Sequence, residues 1–284
     1  MRPLQLVLLL VLVFGLVKAE PQTRYYAAHQ GGEDPHLPYL LALLNAVARD
    51  QGWQYDWQPY PVPMNQARIQ RSMASSESDL HLAWMMTNDE REQDMLAVPV
   101  PLFMGLIGWR IPLLAQADQE LERRWQPEDW PQLFAGQMAD WPDTDILQAN
   151  DFSVVTTSSY VPLFHMLAAR RFDYFPRSVI EVEQELETHR HLGIQMSERW
   201  LLHYPAAMYF FVSPQAPELA QELHQGLLAL HDSGEFLQIF THHYGNLIER
   251  LSLSQRQVIR LDNPLLPSSA PLDQEHLWWS LSAE

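Results

Sequence analysis

The chain contains no cysteine, so neither disulfide bonds nor a lipid-modified cysteine can hold or anchor it. It therefore has no thiol nucleophile, and it shows no Gly-x-Ser-x-Gly motif, no glycine-rich phosphate loop and no His-Glu-x-x-His pair. We predict no catalytic residue. Acid and base residues are abundant, however, and they need no motif to act, so an enzyme is kept as the alternative.

Positive charge is scarce, with 18 Lys and Arg against 35 Asp and Glu and a formal net charge of −17. This balance argues against nucleic acid and against anionic membrane surfaces as partners. It does not name a partner, since a field of this sign attracts cationic solutes or simply keeps a protein soluble.

Metal-binding patterns are also lacking, although the chain has 12 histidines. A closed metal site needs three or four converging ligands, and the histidines occur at most in pairs. The pairs considered are His189 and His191, His224 and His231, and His242 and His243. We predict no metal site and no cofactor.

Long apolar runs are missing beyond the amino terminus. Arg2 is followed by an apolar segment over residues 6–17 and by small residues that end at Ala19, a pattern typical of a secretory signal peptide cleaved after Ala19. The apolar run is about a dozen residues, short of the ~20 that span a bilayer, so an uncleaved anchor is the weaker alternative. We expect an exported protein that is soluble after cleavage.

Strand and helix patterns alternate in the first hundred residues. Residues 24–29, which include Tyr25, are predicted to form a strand, and Leu40, Leu43, Leu44 and Val47 recur at helical spacing before Gly52. Aromatic and polar residues then alternate over residues 53–58, as in a strand with one covered face. Since a strand, helix and strand of this length imply a parallel pair, an α/β sheet is predicted.

The stretch Asp79 to Trp109 is predicted to form a strand, a polar turn with one arginine, and a second strand. An arginine at the end of a buried strand can hold a carboxylate bidentately. Arg91 is therefore a candidate ligand contact. The alternative is a surface arginine paired with Glu90, Glu92 or Asp94.

The second half shows a similar unit. Residues 152–156 are predicted to form a strand, residues 157–159 a polar corner, and the following residues a helix, which directs backbone donors to an anionic group. Glu181 is a candidate because it follows the FDYFPR turn closely, whereas the later glutamates of that helix are predicted to form a solvated face. The tail beyond Leu261 is rich in proline and serine.

Three stretches resemble one family, the type 2 periplasmic solute-binding proteins, and within it the extracellular family 3 branch that includes polar amino-acid binders. The stretches are TNDEREQDMLAVPVPLF, LAARRFDYFPR, and FFVSPQAPELAQELHQGLLALHDSGEFLQIFTHHY. The resemblance follows nearly the whole mature chain in order. It implies an α/β fold of two Rossmann-like lobes joined by a two-strand hinge, known as periplasmic binding protein-like II.

The resemblance also implies boundaries for the lobes. Residues 1–19 would be the signal peptide, residues 20–110 together with 206–284 the first lobe, and residues 111–205 the second lobe. The two crossings would fall near residues 102–111 and 204–212. Ligand would be held in the cleft between the lobes, at the carboxyl ends of the strands.

Site residues follow from the same resemblance. Arg91 matches the arginine that holds the ligand's α-carboxylate, and Thr87 lies in the preceding corner. The second-lobe corner, with Thr157, Ser158 and Tyr160, would close on the ligand. The aromatic residues expected to line the cleft are Tyr25, Trp84 and Trp109. For Trp84 the competing interpretation is core packing on its strand.

One departure from the family stands beyond Asp173, where an acid for the ligand's amine is expected and this chain has Arg177 and Ser178. Arg177 indicates either a second anionic group on the ligand or an internal partner such as Glu181. Both interpretations are kept open.

The resulting expectation is a monomeric periplasmic protein that closes on a small anionic or zwitterionic solute, amino-acid-like or an organic acid. An inner-membrane ABC permease would be its partner. The alternative is a binding-fold sensor or partner protein with no role in transport.

Overall fold

The computed structural model describes residues 22–28, 34–53 and 55–281. The predicted signal peptide lies outside these residues. The strands are β1 (Gln22–Tyr26), β2 (Tyr55–Pro59), β3 (Leu80–Met86), β4 (Leu96–Val98), β5 (Trp109–Ala115), β6 (Phe134–Met138), β7 (Ser153–Thr157), β8 (Phe175–Ser178), β9 (Ile194–Met196), β10 (Trp200–His203), β11 (Met208–Val212) and β12 (Gln257–Arg260). The α-helices are α1 (Leu37–Gln51), α2 (Gln66–Ala74), α3 (Asp89–Asp94), α4 (Gln119–Glu122), α5 (Pro142–Ala149), α6 (Tyr160–Ala168), α7 (Val182–His189), α8 (Pro217–Asp232) and α9 (Glu235–Leu251).

The first sheet has the strand order β2-β1-β3-β11-β4. Strands β2, β1 and β3 are parallel, as the strand-helix-strand pattern predicts, whereas β11 returns antiparallel between β3 and β4. Helices cover both faces of this sheet. One face packs in the main core with α1, α8 and α9, and the other packs on α2 in a smaller cluster around Met73 and Met85.

The second sheet has the order β12-β10-β5-β8, with β9 paired to β5. Strands β6 and β7 form a separate parallel pair, which an isolated bridge between Ala135 and Tyr174 connects to the chain just before β8. Each of the two α/β lobes thus has its own sheet. The exact lobe boundaries remain a prediction. Strand β12 lies in the range assigned to the first lobe but pairs with β10 in the second sheet.

Helix α1 shows why the sequence folds this way locally. Leu40, Leu43, Leu44 and Val47 are all fully buried on one face, as their spacing predicts. Proline stands in its first turn, and Gly52 ends it in the left-handed conformation with φ of 70°. Among the described residues, no helix is both long and apolar enough to cross a membrane.

Two of the chain segments that cross between the sheets run side by side. The first leads from β4 to β5, and the second leads from β10 to β11. The backbone N–H of Tyr204 donates to the carbonyl oxygen of Gly108 at 3.2 Å. A Cβ at Gly108 would lie 2.1 Å from the carbonyl oxygen of Tyr204, so this close approach requires glycine.

The C-terminal tail, defined here as residues 262–281, lies over both crossings. Asp262 exchanges hydrogen bonds with Asn150 of the second lobe, and Ser269 donates to Glu92 of the first lobe. Farther along, the backbone N–H of Trp279 donates to the carbonyl of Met104 at 2.7 Å. The tail is therefore folded onto the molecule and connects the two lobes.

Replacing Gly105 by alanine is expected to destabilise the protein by about 1–3 kcal/mol. Gly105 has φ of +75°, and an added Cβ would lie 2.5 Å from Cε3 of Trp278 in the tail. Urea unfolding would measure the change in the free energy of unfolding.

Gly234→Ala is the matched control, since Gly234 has φ of +77° and nothing within 4 Å of an added Cβ. The control isolates backbone strain of about 1–2 kcal/mol. Equal losses in the two variants would show that the packing of Trp278 on Gly105 contributes nothing to stability.

Candidate functional site

The corner after β3 carries Thr87 and Arg91, and its conformation differs from the predicted simple turn. Residues Asp89–Asp94 form the short helix α3, which Asn88 caps by accepting a hydrogen bond from the backbone N–H of Arg91 at 2.9 Å. Thr87 is buried and donates from Oγ1 to Glu92 at 2.6 Å. The apolar periodicity that reveals longer helices is absent here, so only the Asn cap and the acidic first turn could have indicated the helix.

Arg91 is buried, with 5% of its surface exposed. Its Nη1 donates to the carbonyl of Met86 at 2.5 Å and its Nη2 to the side chain of Gln66 at 2.7 Å. Within the described part of the chain, no carboxylate oxygen lies within 4.0 Å of its guanidinium, so the predicted surface pairing with Glu90, Glu92 or Asp94 is not formed.

Burial sets the electrostatics of Arg91. Loss of solvent lowers the pKa of its guanidinium to about 10. The charges of Asp140, Glu90 and Asp143 act in the opposite direction without cancelling this effect. Two of these acids, Asp140 and Asp143, belong to the β6–α5 region of the second lobe, so Arg91 faces the other lobe.

A second buried arginine, Arg110, lies on β5 just after the first crossing. Its Nη2 is 2.6 Å from Oδ1 of Asp143, and its Nε donates to the hydroxyl of Tyr204 at 3.0 Å. The Tyr204 hydroxyl also donates to Asp143. Sequence reasoning missed these three residues, although a lone arginine inside the apolar run GLIGWRIPLLA was a signal for a buried ion pair.

A third buried arginine, Arg177, lies near the end of β8 and has internal partners. Its Nε donates to both oxygens of Glu185 at 2.9 and 2.8 Å, and its Nη2 donates to Glu181 at 2.9 Å. Of the two interpretations left open, the internal partner is the one observed. Glu181 also accepts from Nη1 of Arg110 at 3.5 Å, so Arg110, Arg177 and their acids form one cluster.

The pKa values in this cluster follow the ion pairs. Burial alone would raise the pKa of Glu181, but Arg177 and then Arg110 outweigh it and hold the pKa below its ordinary value. Burial alone would lower the pKa of Arg177, whereas Glu181 and Glu185 raise it well above its ordinary value. Glu181 and Arg177 are therefore both charged at neutral pH.

Tyr160 is hydrogen-bonded to this cluster. Among the described residues, neither Thr157 nor Ser158 forms a hydrogen bond to it. The Tyr160 hydroxyl donates to Glu185. Thr157 is half-buried and accepts from the backbone N–H of Ser159 at 3.3 Å, and Ser158 is exposed. Their contribution to a ligand site stays a prediction.

The three aromatic candidates have different neighbours. Trp84 is buried, donates from Nε1 to Asp34 at 2.7 Å and packs against Tyr26. Tyr25 precedes Tyr26 on β1 and contacts Tyr60 and His81 on the opposite face of the sheet. Trp109 is buried at the crossing, where the His203 ring lies tilted against it with ring centroids 3.8 Å apart. The structure thus does not bring Tyr25 together with Trp84.

A cavity of about 380 Å³ opens between the lobes, where the starts of α1 and α7 meet α9. His36, whose Nδ1 lies 2.8 Å from the Tyr244 hydroxyl, lines it from the first lobe, and Ile180 lines it from the second. Arg250 of α9 bridges to Glu183 of α7 at 2.6 Å beside this opening. Within the described ranges, no three His, Asp or Glu residues are grouped so that they could hold a metal ion.

No protein-family model matches the chain, and no curated protein matches it in sequence. Solved structures do match it. A periplasmic binding protein of Salmonella typhimurium with high arginine specificity has a TM-score of 0.56 and 14% identity, over 79% of this chain and 100% of that one. The VFT2 domain of Bordetella pertussis BvgS, as a double mutant, has a TM-score of 0.59 and 14% identity, over 78% of this chain and 92% of that one.

A third match is a histidine kinase sensor domain with similarity to periplasmic binding proteins, with a TM-score of 0.54 and 14% identity, over 80% of this chain and 96% of that one. The chain therefore has the type 2 periplasmic binding protein fold, and the predicted fold class is confirmed. At this level of identity the likeness shows the fold alone.

Acidification is expected to destabilise the protein through His203. Burial, reinforced by Arg260, lowers the pKa of His203 to about 4. In the unfolded chain the pKa is about 6.5, so protons bind the unfolded state more tightly. The stability from this group is complete above about pH 7 and falls as the pH decreases from about 6.5 towards 4.

Urea unfolding at about pH 7.5 and about pH 5 would measure this loss, and His203→Gln should lose less stability between the two pH values. His242→Gln, at an exposed position of α9, serves as the control. An unchanged pH dependence in the His203 variant would contradict the prediction.

Proposed function

We propose that the protein is a periplasmic binding protein that closes on a small solute bearing a carboxylate or a similar anion, which Arg91 holds. The observation that supports the proposal is the contrast between the three buried arginines. Arg110 and Arg177 each have a carboxylate within 3 Å, whereas Arg91 has none within 4.0 Å among the described residues.

A buried guanidinium without a carboxylate in direct contact is costly, because the interior solvates it poorly. Arg91 uses two of its five N–H donors on the described residues, which leaves donors for a bidentate carboxylate. A ligand anion would supply both the missing charge and the missing acceptors. Thr87 and the Thr157 to Tyr160 corner belong to the same proposed site, with Trp84 and Trp109 as its aromatic walls.

Binding rather than catalysis is proposed because the matched structures are binding and sensor domains and the sequence carries no catalytic motif. Location in the periplasm is inferred from the amino-terminal pattern and from the fold together. Cleavage after Ala19 and a monomeric state are parts of the same proposal.

The biological partner is proposed to be an inner-membrane ABC permease. A sensor role is the second candidate, because one of the three matches above is a histidine kinase sensor domain. Neighbouring genes distinguish the two roles, since a permease and an ATPase would favour transport and a signalling enzyme would favour sensing.

The test is a thermal-shift screen of the purified protein with organic acids, amino acids, small peptides and polyamines. A solute at a hundred times its Kd adds about 2.7 kcal/mol to the free energy of unfolding. Arg91→Gln, which keeps a donor but loses the charge, is expected to weaken binding of the identified anion about 100-fold, because charged hydrogen bonds contribute about 1.5–3 kcal/mol each.

Arg256→Gln is the matched control. Arg256 is also partly buried, is also held by backbone carbonyls, those of Leu251 and Ser197, and its pKa is also lowered by burial. This control should keep the thermal shift. Retention of the shift in Arg91→Gln would exclude Arg91 as the clamp, and a screen without any hit would count against solute binding.

A further inference from the structure

Arg177 lies in surroundings that have the chemistry of a binding site for a cation. Its Cζ is 4.7 Å from the ring centroid of Trp141, 4.9 Å from that of Phe175 and 5.6 Å from that of Tyr160. The carboxylates of Glu181 and Glu185 accept its hydrogen bonds at 2.7 to 2.9 Å. Aromatic faces and paired carboxylates are the groups that recognise guanidinium and ammonium ligands. We call Trp141, Tyr160, Phe175, Glu181 and Glu185 the cation cage.

The cage lies at the side of the second lobe that faces the first. Strand β8 ends at Ser178, whose Oγ donates to the carbonyl of Leu106 in the first crossing. Tyr160 begins α6 directly after the predicted second-lobe corner. In α/β folds of this kind ligands bind outside the carboxyl ends of the strands, which is where the cage stands.

We propose that the chain's own Arg177 occupies a cation-recognition site in the second lobe, so that the cleft rejects solutes carrying a guanidinium or ammonium group there. The statement that the cleft rejects cationic solutes rests on the proposed function, whereas the occupation of the site by Arg177 does not. The class of solute is thereby narrowed to anions without a cationic group at the second-lobe end, such as dicarboxylates and other organic acids.

The charges of the cluster support this assignment. Asp143, Glu181 and Glu185 carry three negative charges, which Arg110 and Arg177 offset in part. Without Arg177 the excess would grow from one to two negative charges beside three aromatic faces, which would attract a free cation. A tethered side chain has a far higher effective concentration than a free solute and loses less freedom on binding, so a free cation does not displace it.

The test is rescue of Arg177→Ala by N-ethylguanidinium, the fragment that the substitution removes. We expect millimolar N-ethylguanidinium to raise the Tm of Arg177→Ala saturably by several degrees and to leave the Tm of the unmodified protein unchanged. Ethanol, which matches the ethyl group without the cation, should have no such effect. The same experiment on Arg256→Ala reports any general effect of guanidinium, because Arg256 has no cage.

A second variant, Arg177→Ala with Glu185→Gln, removes one cage carboxylate and should lose most of the rescue. If Arg177→Ala does not fold alone, its refolding yield with and without N-ethylguanidinium reports the same binding. If N-ethylguanidinium changes the Tm or the refolding yield of the Arg177 and Arg256 variants equally, the proposal of a cation-recognition site is wrong.

The specificity is read from the unmodified protein in the solute screen. Hits confined to anions without a cationic group support the inference, and tight binding of arginine or lysine overturns it. The rescue experiment requires no knowledge of the natural solute. If no solute in the screen binds but N-ethylguanidinium rescues Arg177→Ala, the proposed function is rejected and the cation cage is supported. If an anion binds but the rescue fails, the proposed function is supported and the cation cage is rejected.

Discussion

The ion pair between Arg110 and Asp143 lies where both crossing segments enter the second lobe. Arg110 follows the first crossing, and Tyr204, which contacts both Arg110 and Asp143, lies in the second. A buried guanidinium is tolerated only with good geometry and satisfied donors, and the Asp143 carboxylate and the Tyr204 hydroxyl meet this need. Because Arg110 also reaches Glu181, the same arginine orients the acid that Arg177 uses. The crossings and the wall of the second lobe are therefore one electrostatic unit.

The two lobes present different electrostatics to the cleft between them. In the second lobe the buried Arg110 and Arg177 are paired with carboxylates of the same lobe, those of Asp143, Glu181 and Glu185. The first lobe buries Arg91 against a backbone carbonyl and an amide side chain, which are neutral acceptors. Among the described residues, Arg91 thus contacts only neutral acceptors, whereas Arg110 and Arg177 form a cluster with their own acids.

Patterns that depend on local spacing were readable from the sequence. The buried face of α1 follows the i, i+3, i+4 and i+7 rule, and the parallel unit β1-α1-β2 follows from alternation. Helix α3 was not readable in this way, because its six residues contain no apolar repeat.

The partners of the arginines depend on distant parts of the chain. Tyr204 is 94 residues from Arg110 and 61 from Asp143, and no local rule pairs them. One partner of Arg177 could be predicted, because Glu181 is only four residues away. Its second acid and the three aromatic rings around it come from α5, α6, α7 and β8 or the residues that flank them. The sequence could pose the choice between a ligand anion and an internal acid, but only tertiary packing decides it.

The C-terminal tail sets a mechanical limit on the molecule. Asp262 of the tail is hydrogen-bonded to Asn150, and Ser269 is hydrogen-bonded to Glu92. The peptide between Asp262 and Ser269 spans at most about 25 Å when it is fully extended. As long as both bonds hold, the backbones of Asp262 and Ser269 cannot separate beyond that length, which limits how far Asn150 and Glu92 can move apart. The tail is thus a further connection between the lobes besides the crossings, and opening beyond its reach requires one of its two attachments to break.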